Sequence, residues 1–289
     1  EGANLGCTQL GRIEFAANGG RINTDAIDNS AGVDSSDHEV NIKILLGSIM
    51  QKGLLEEKSR NKLLAKMTDE VAKLVLLHNY RQSQAISQIQ SEGLFALDDQ
   101  QKFMKMLERD KSLDRKVEFL PDDDEIAERK ANQKGLYRPE ISVLLSYSKI
   151  WLYNQILDSS IPDDPFLDQE LINYFPKPLS TSFSIEIKKH RLKREIIATR
   201  LSNTIVDRLG DTFVSSLIEE AGFSAPEITE AYIITVSVFQ LKTLWLKVEG
   251  LDNIVPSKAL LSMRTEIKTL LRWVILWFLR NQNARQSVT

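Results

Sequence analysis

Cysteine is nearly missing from this chain of 289 residues: Cys7 is the only one. One cysteine excludes a disulfide framework and a cysteine-based zinc cluster. No basic cluster surrounds it in sequence, so Cys7 reads as a small buried spacer rather than a reactive thiol. Charge of one sign is also missing. The formal net charge is −3, and lysine and arginine are interspersed with aspartate and glutamate, which leaves no electrostatic footprint for nucleic acid. Long apolar runs are absent too. The longest, Trp273 to Leu279, falls far short of the ~20 residues that span a bilayer. Ile233 to Val248 is rich in apolar residues but is interrupted by Gln240, Lys242 and Lys247. The opening residues carry neither the basic nor the apolar segment of a secretory signal. These absences point to a cytoplasmic protein with no membrane partner. No repeat of 20 to 50 residues marks a solenoid. The sequence begins without Met and stops without a terminal cap, so a piece of a longer polypeptide is expected.

What is present divides unevenly. Six of the thirteen glycines fall in the opening segment, at positions 2, 6, 11, 19, 20 and 32. Thr8 is placed to cap a helix over Gln9 to Asn18, which Gly19-Gly20 ends. Ile22, Thr24 and Ala26 alternate with polar neighbours, which predicts a short strand over Arg21 to Asp28. Small and amide residues then form a predicted loop from Asn29 to Glu39. Ser36 or Asp37 is the expected cap of the next helix, with His38 near its start making local hydrogen bonds.

From about residue 40 only helical signals remain. Apolar residues recur at three and four from Ile42 to His78, with Thr68 predicted to cap a new helix. Asp122-Asp123-Asp124 reads as the acidic opening of a helix rather than as metal ligands. Pro139 opens a helix to about Asp158 that is apolar nearly all round and hence central. Single helices are predicted over Ser184 to Leu209, stopped by Gly210, and over Pro226 to Glu249. His78 reads as a helix C-terminal residue and His190 as part of a solvated or intersubunit basic face. The expected fold is mainly α. A small α/β, Rossmann-like remnant in residues 1–40 leads into an all-helical domain in 41–289.

The two opening clusters are the candidate chemistry. Asparagine amides both donate and accept, which suits a ribose hydroxyl or a carboxamide. A serine near a helix N-terminus suits a carboxylate. The same residues are also the ordinary stock of turns and caps, and residue type alone does not decide between the two.

Glu1-Gly2-Ala3-Asn4 with Thr8, followed by Asn29-x-x-Gly32-Val33-x-x-Ser36, resembles the closing part of the coenzyme domain of amino-acid dehydrogenases of the glutamate dehydrogenase type. The whole stretch from Gly20 to Asp34, and Ser36 to Lys43 after it, is similar to the large bacterial NAD-specific branch. Arg138-Pro139-Glu140 with Leu144-Leu145-x-Tyr147-x-Lys149 agrees as well. So do Arg194-Glu195-Ile196-Ile197-Ala198-Thr199 and Leu209-Gly210-x-Thr212-Phe213-Val214. The resemblance implies NAD as cofactor and interconversion of L-glutamate with 2-oxoglutarate and ammonia, in a homo-oligomer. It places Asn4 near the cofactor ribose and nicotinamide, Asn29 at the cofactor, Val33 against the substrate side chain and Ser36 on its distal carboxylate. Ser30-Ala31-Gly32 stands where the smaller enzymes have Ala-Gly-Gly. The family's catalytic lysine and aspartate and its glycine-rich fingerprint are not in this chain, so it is expected to be inactive alone. The alternatives are a helical scaffold without catalysis and another NAD-linked amino-acid dehydrogenase.

Overall fold

A computed structural model describes residues 6–281, and Asn4 therefore lies outside the described residues. The first helix, α1 (Gln9–Ala17), starts where the Thr8 hydroxyl accepts the Gly11 amide at 3.1 Å. It ends at Gly19, whose φ of +91° only glycine adopts without strain. The Gly20 amide returns to the Phe15 carbonyl at 2.9 Å.

The predicted strand is not there. Residues 20–24 are an irregular strap leading into a single helical turn, α2 (Asp25–Asp28), and no strand occurs among the described residues. The reason is local and tertiary together. The Asp28 carboxylate accepts both the backbone amide and the side-chain amide of Asn23, at 3.2 and 2.6 Å, which curls the strap. Among the described residues no neighbouring strand offers a ladder. The α/β remnant is thus replaced by helix, and the described fold is α throughout.

The predicted loop is helix as well. α3 (Ser30–Gln51) starts directly after Asn29 and runs through residue 40 without a break. Ser36, Asp37 and His38 lie inside it rather than at its cap. Its start is fixed from outside by α4 (Glu57–Glu92). There the Asn79 amide donates to the Ile27 carbonyl at 2.8 Å and to the Ser30 hydroxyl at 2.9 Å. α4 is continuous through Thr68, whose hydroxyl bonds back to the Ala65 carbonyl instead of capping. His78 is accordingly well inside α4. Gly93, at φ +55°, turns the chain into α5 (Leu94–Arg109).

α6 (Asp123–Ala131) has the expected acidic start. Asp122 and Glu125 each accept the other's backbone amide at 2.9 Å. Gly135 then passes so close to Gly93 that a Cβ built on it would sit 2.7 Å from the Gly93 carbonyl carbon and oxygen. α7 (Arg138–Leu157) follows, and Ile141, Leu144, Leu145, Leu152 and Ile156 are all buried, as the all-round apolar pattern requires. Glu140, almost fully buried, accepts two hydrogen bonds from Arg129 at 2.6 Å and the Tyr137 amide at 2.6 Å.

Short helices α8 (Asp168–Tyr174), α9 (Lys177–Ser182) and α10 (Ser184–Ile187) lead to α11 (Lys193–Leu209). The single helix expected from Ser184 is broken at Lys188–Leu192 because both ring nitrogens of His190 are engaged. Nε2 reaches the Asn41 carbonyl and Nδ1 meets the Leu192 amide, each at 3.1 Å. His190 is buried rather than part of a basic face. After α12 (Phe213–Ala221) come α13 (Ala225–Val238) and α14 (Leu241–Glu249), which meet at Gln240 with φ +49° and a bend of 74°. The expected Pro226–Glu249 helix is therefore two. α15 (Ser257–Arg280) closes the described chain.

α7 and α11 pack as the central pair, with α4 alongside and α13 joining α7 to α15. One continuous apolar cluster runs from Ile27 to Leu279. Trp245 is buried, while Trp273 and Trp277 stand mostly exposed on α15. Cys7 is exposed, not the buried spacer expected. Among the described residues no single helix is long and apolar enough to cross a membrane, although the bent pair α13–α14 passes on length and composition together.

Candidate functional site

The amino-terminal end of α3 carries three of the four candidate residues. Asn29 occupies the bend between α2 and α3, with φ −115° and ψ 15°, and its carbonyl accepts the Gly32 amide at 3.2 Å. The Asn29 side chain does not cap α3. Val33 and Ser36 are three residues apart, so they stand one above the other on one helix face. Both are exposed, Val33 at 67 %. Val40 extends the same face. Ser36 lies beyond the first turn, whose amides are the unpaired ones, so it can offer a ligand its hydroxyl but not a free backbone amide. Its neighbour Ser35 has already committed its hydroxyl to the Ala31 carbonyl at 2.8 Å.

Behind this face lies a polar cluster that the sequence reading did not assemble. Asp34 and His38 are one turn apart on α3, and His78 approaches them from α4. The Asp34 carboxylate meets His78 Nδ1 at 2.8 Å and lies 3.7 Å from His38 Nε2. The His38 ring stacks on Tyr174 at 4.5 Å and on His78 at 6.0 Å. Tyr174 in turn accepts a hydrogen bond from the Asn41 amide at 2.8 Å. His38 is only 1 % exposed, and neither of its nitrogens has a hydrogen-bond partner. The expected helix-start histidine with local bonds is instead a mid-helix, orphaned one. Burial holds its ring neutral, with the pKa brought down to about 4 despite the opposing pull of Asp34. Burial alone would raise the Asp34 carboxyl, but the hydrogen bond and charge of His78 outweigh it and leave it below the usual range. The Asp34/His38 spacing of four was a visible signal. The contribution of His78, from the next helix, was not.

The whole corner is anchored to the helical body. Arg12 on α1 pairs with Asp25 at 2.5 Å, and the Gln9 amide reaches the Pro139 carbonyl at 3.3 Å. Arg138, at the head of α7, donates to Asn23 on the strap and to Ser87 and Gln90 on α4, each at 3.1 Å.

Residues 133–289, more than half of the chain, match the family profile described as "Glutamate dehydrogenase, C-terminal". Residues 1–89, which include this corner, match "Bacterial NAD-glutamate dehydrogenase, catalytic domain". The chain belongs to the bacterial NAD-specific glutamate dehydrogenase family. Proteins named NAD-specific glutamate dehydrogenase from Halomonas elongata and Pseudomonas aeruginosa are 46 % and 47 % identical to it, over 99 % and 98 % of this chain. One from Mycobacterium tuberculosis is 38 % identical over 95 %. The chain spans only 17–18 % of the length of these relatives. Within the family, the exposed α3 face and the strap beside it fall in the catalytic-domain match, whereas α7 and the helices after it fall in the C-terminal one.

Proposed function

We propose that this chain serves an NAD-dependent glutamate dehydrogenase, contributing one wall of the active-site crevice together with a helical body that braces it. The parent reaction is oxidative deamination of L-glutamate to 2-oxoglutarate and ammonia. The observation that carries this reading is the side-by-side exposure of Val33 and Ser36 on α3 directly after the Asn29 bend.

Each residue type suits its role. The Asn29 amide can donate to and accept from the nicotinamide or its ribose. Val33 gives an apolar contact for the methylenes of a glutamate side chain, and the Ser36 hydroxyl, a helical turn away, can donate to the distal carboxylate. Asn4 belongs to the cofactor side of the same proposal. Bound NAD supplies the hydride acceptor. This chain's residues are assigned to orienting the two ligands and the family's catalytic lysine and aspartate to the rest of the polypeptide, so 1–289 alone is expected to be inactive. Residues 1–40 are assigned to the coenzyme side and 41–289 to bracing and assembly. The reading extends to a homo-oligomer in the cytoplasm.

The complete polypeptide, assayed with NAD and with glutamate, leucine or valine, tests the proposal. Glutamate should be turned over in clear preference, and Ser36→Ala should raise KM for glutamate about tenfold, the loss of one hydrogen bond to a charged group. Equal turnover of leucine or valine points to another amino-acid dehydrogenase. No NAD reduction with any of them leaves the helical-scaffold reading.

A further inference from the structure

The Asp34–His38–His78 cluster has no role in that reading, and its geometry is that of a ligand set. One carboxylate oxygen and two imidazole nitrogens lie within 4.8 Å of one another. Ligand atoms on a tetrahedral zinc are separated by about 3.3–3.4 Å, given bonds of about 2.0–2.1 Å. The 3.7 Å from Asp34 Oδ1 to His38 Nε2 is too long for a hydrogen bond but close to that spacing. His78 Nδ1 lies 2.8 Å from the other oxygen, Asp34 Oδ2, so the carboxylate sits between the two imidazoles.

A second observation points the same way. A buried imidazole normally satisfies at least one nitrogen. His38 satisfies neither, while its ring is held in place by the stacked Tyr174. An ion between the three side chains would supply the missing partner. The Asp34 and His78 side chains are 25 % and 31 % exposed, so the ion would be reached from solvent and keep an open position there. The cations nearest the cluster are already neutralised: Lys149 pairs with Asp207 at 2.7 Å and Arg200 with Glu170 at 3.1 Å.

We propose that Asp34, His38 and His78 bind a divalent cation of the zinc class. Two imidazoles with one carboxylate suit such borderline ions better than magnesium or calcium. Binding needs His78 as the tautomer with its proton on Nε2, which frees Nδ1 to ligate. The ion ties α3 to α4 directly behind the face that bears Val33 and Ser36.

The test uses the complete polypeptide, stripped with a chelator and titrated with cobalt(II), whose visible absorption reports its coordination, and then with zinc in competition. The expected result is a saturable site, displaced by zinc, that is weakened at least roughly tenfold in both Asp34→Asn and His78→Gln. Absence of saturable binding, or affinity unchanged in both variants, overturns the proposal. Anomalous diffraction at the zinc edge from zinc-soaked wild-type crystals does not depend on how the variants fold. A peak among the three side chains supports the site, and no peak there overturns it. Neither readout requires turnover, so the result stands apart from the assigned reaction.

Discussion

Arg138 Nε donates to Asn23 Oδ1 at 3.1 Å across 115 residues of sequence. The same guanidinium reaches Ser87 and Gln90, so one buried side chain joins the strap, α4 and α7. All three acceptors are neutral, and burial brings the Arg138 pKa down to about 10, with Arg21 adding to the effect. Arg138→Ala should therefore leave the buried Asn23 oxygen unmet, remove the bonds to half-buried Ser87 and exposed Gln90, and cost about 2 kcal/mol in urea unfolding. Arg138→Lys keeps the charge but loses the fork and should fall between. A loss under 1 kcal/mol for the alanine variant would show that the strap is not held from α7.

Asp211 gives a pH prediction. It is fully buried, with the Gln100 amide at 3.0 Å from its carboxylate, and burial raises its pKa from 3.8 to about 6 despite that bond. The folded state thus holds its proton more tightly than the unfolded one. Stability from this group is present below about 4 and is lost as pH rises through about 6. Asp211→Asn should be more stable than the parent at pH 7, by at most about 3 kcal/mol, with the gap closing toward pH 4. A gap that stays constant over that range in thermal melts would refute the assignment.

Glu249 accepts from Arg81 at 3.1 Å and Arg208 at 2.5 Å, and the Arg208 guanidinium also lies 5.0 Å over the Trp245 ring. Glu249→Ala strands two cations against apolar surroundings and should cost about 3–5 kcal/mol. In the triple variant with Arg81→Met and Arg208→Met, most of that loss should return. Chemical denaturation of the parent, Glu249→Ala, the Arg81→Met/Arg208→Met double variant and the triple variant gives the coupling, and simple additivity would mean that the three charges act separately.

Gly135 should not tolerate alanine. Its Cβ would meet the Gly93 backbone at 2.7 Å, and backbone cannot rotate away as a side chain can. Gly135→Ala is expected to cost about 1–3 kcal/mol, as overpacking does. Gly47→Ala, with nothing within 4 Å of the added carbon, serves as the control and should be neutral or stabilising.

The sequence announced elements whose causes are local. Thr8, Asp122 with Glu125, Pro139 and Gly210 each start or stop a helix through contacts within a few residues, and each was readable. It was misleading where the cause is distant. The small residues from Ser30 to Gly32 look like loop, yet Asn79 holds Ile27 and Ser30 and lets α3 begin there. The alternation at Ile22, Thr24 and Ala26 looks like strand, but Asn23 is curled back onto Asp28 and pinned by Arg138. The breaks at His190 and Gln240 carry no glycine or proline. His190 is engaged by a carbonyl 149 residues away. Val33 and Ser36 are singled out by resemblance alone, and their shared exposure follows from helical spacing. His38 and His78 meet only because α3 folds back along α4.

The near-touching glycines have a reach beyond their own turn. Gly93 begins α5, and Gly135 stands three residues before Arg138, with Arg129 Nη1 on the Gly135 carbonyl at 3.5 Å. The two peptide segments meet without any side chain between them to absorb a displacement. An insertion in either loop would shift the head of α7, withdraw Arg138 from Asn23 and loosen the support under Asn29. Loop length at this crossing would then set how firmly the start of α3 is held.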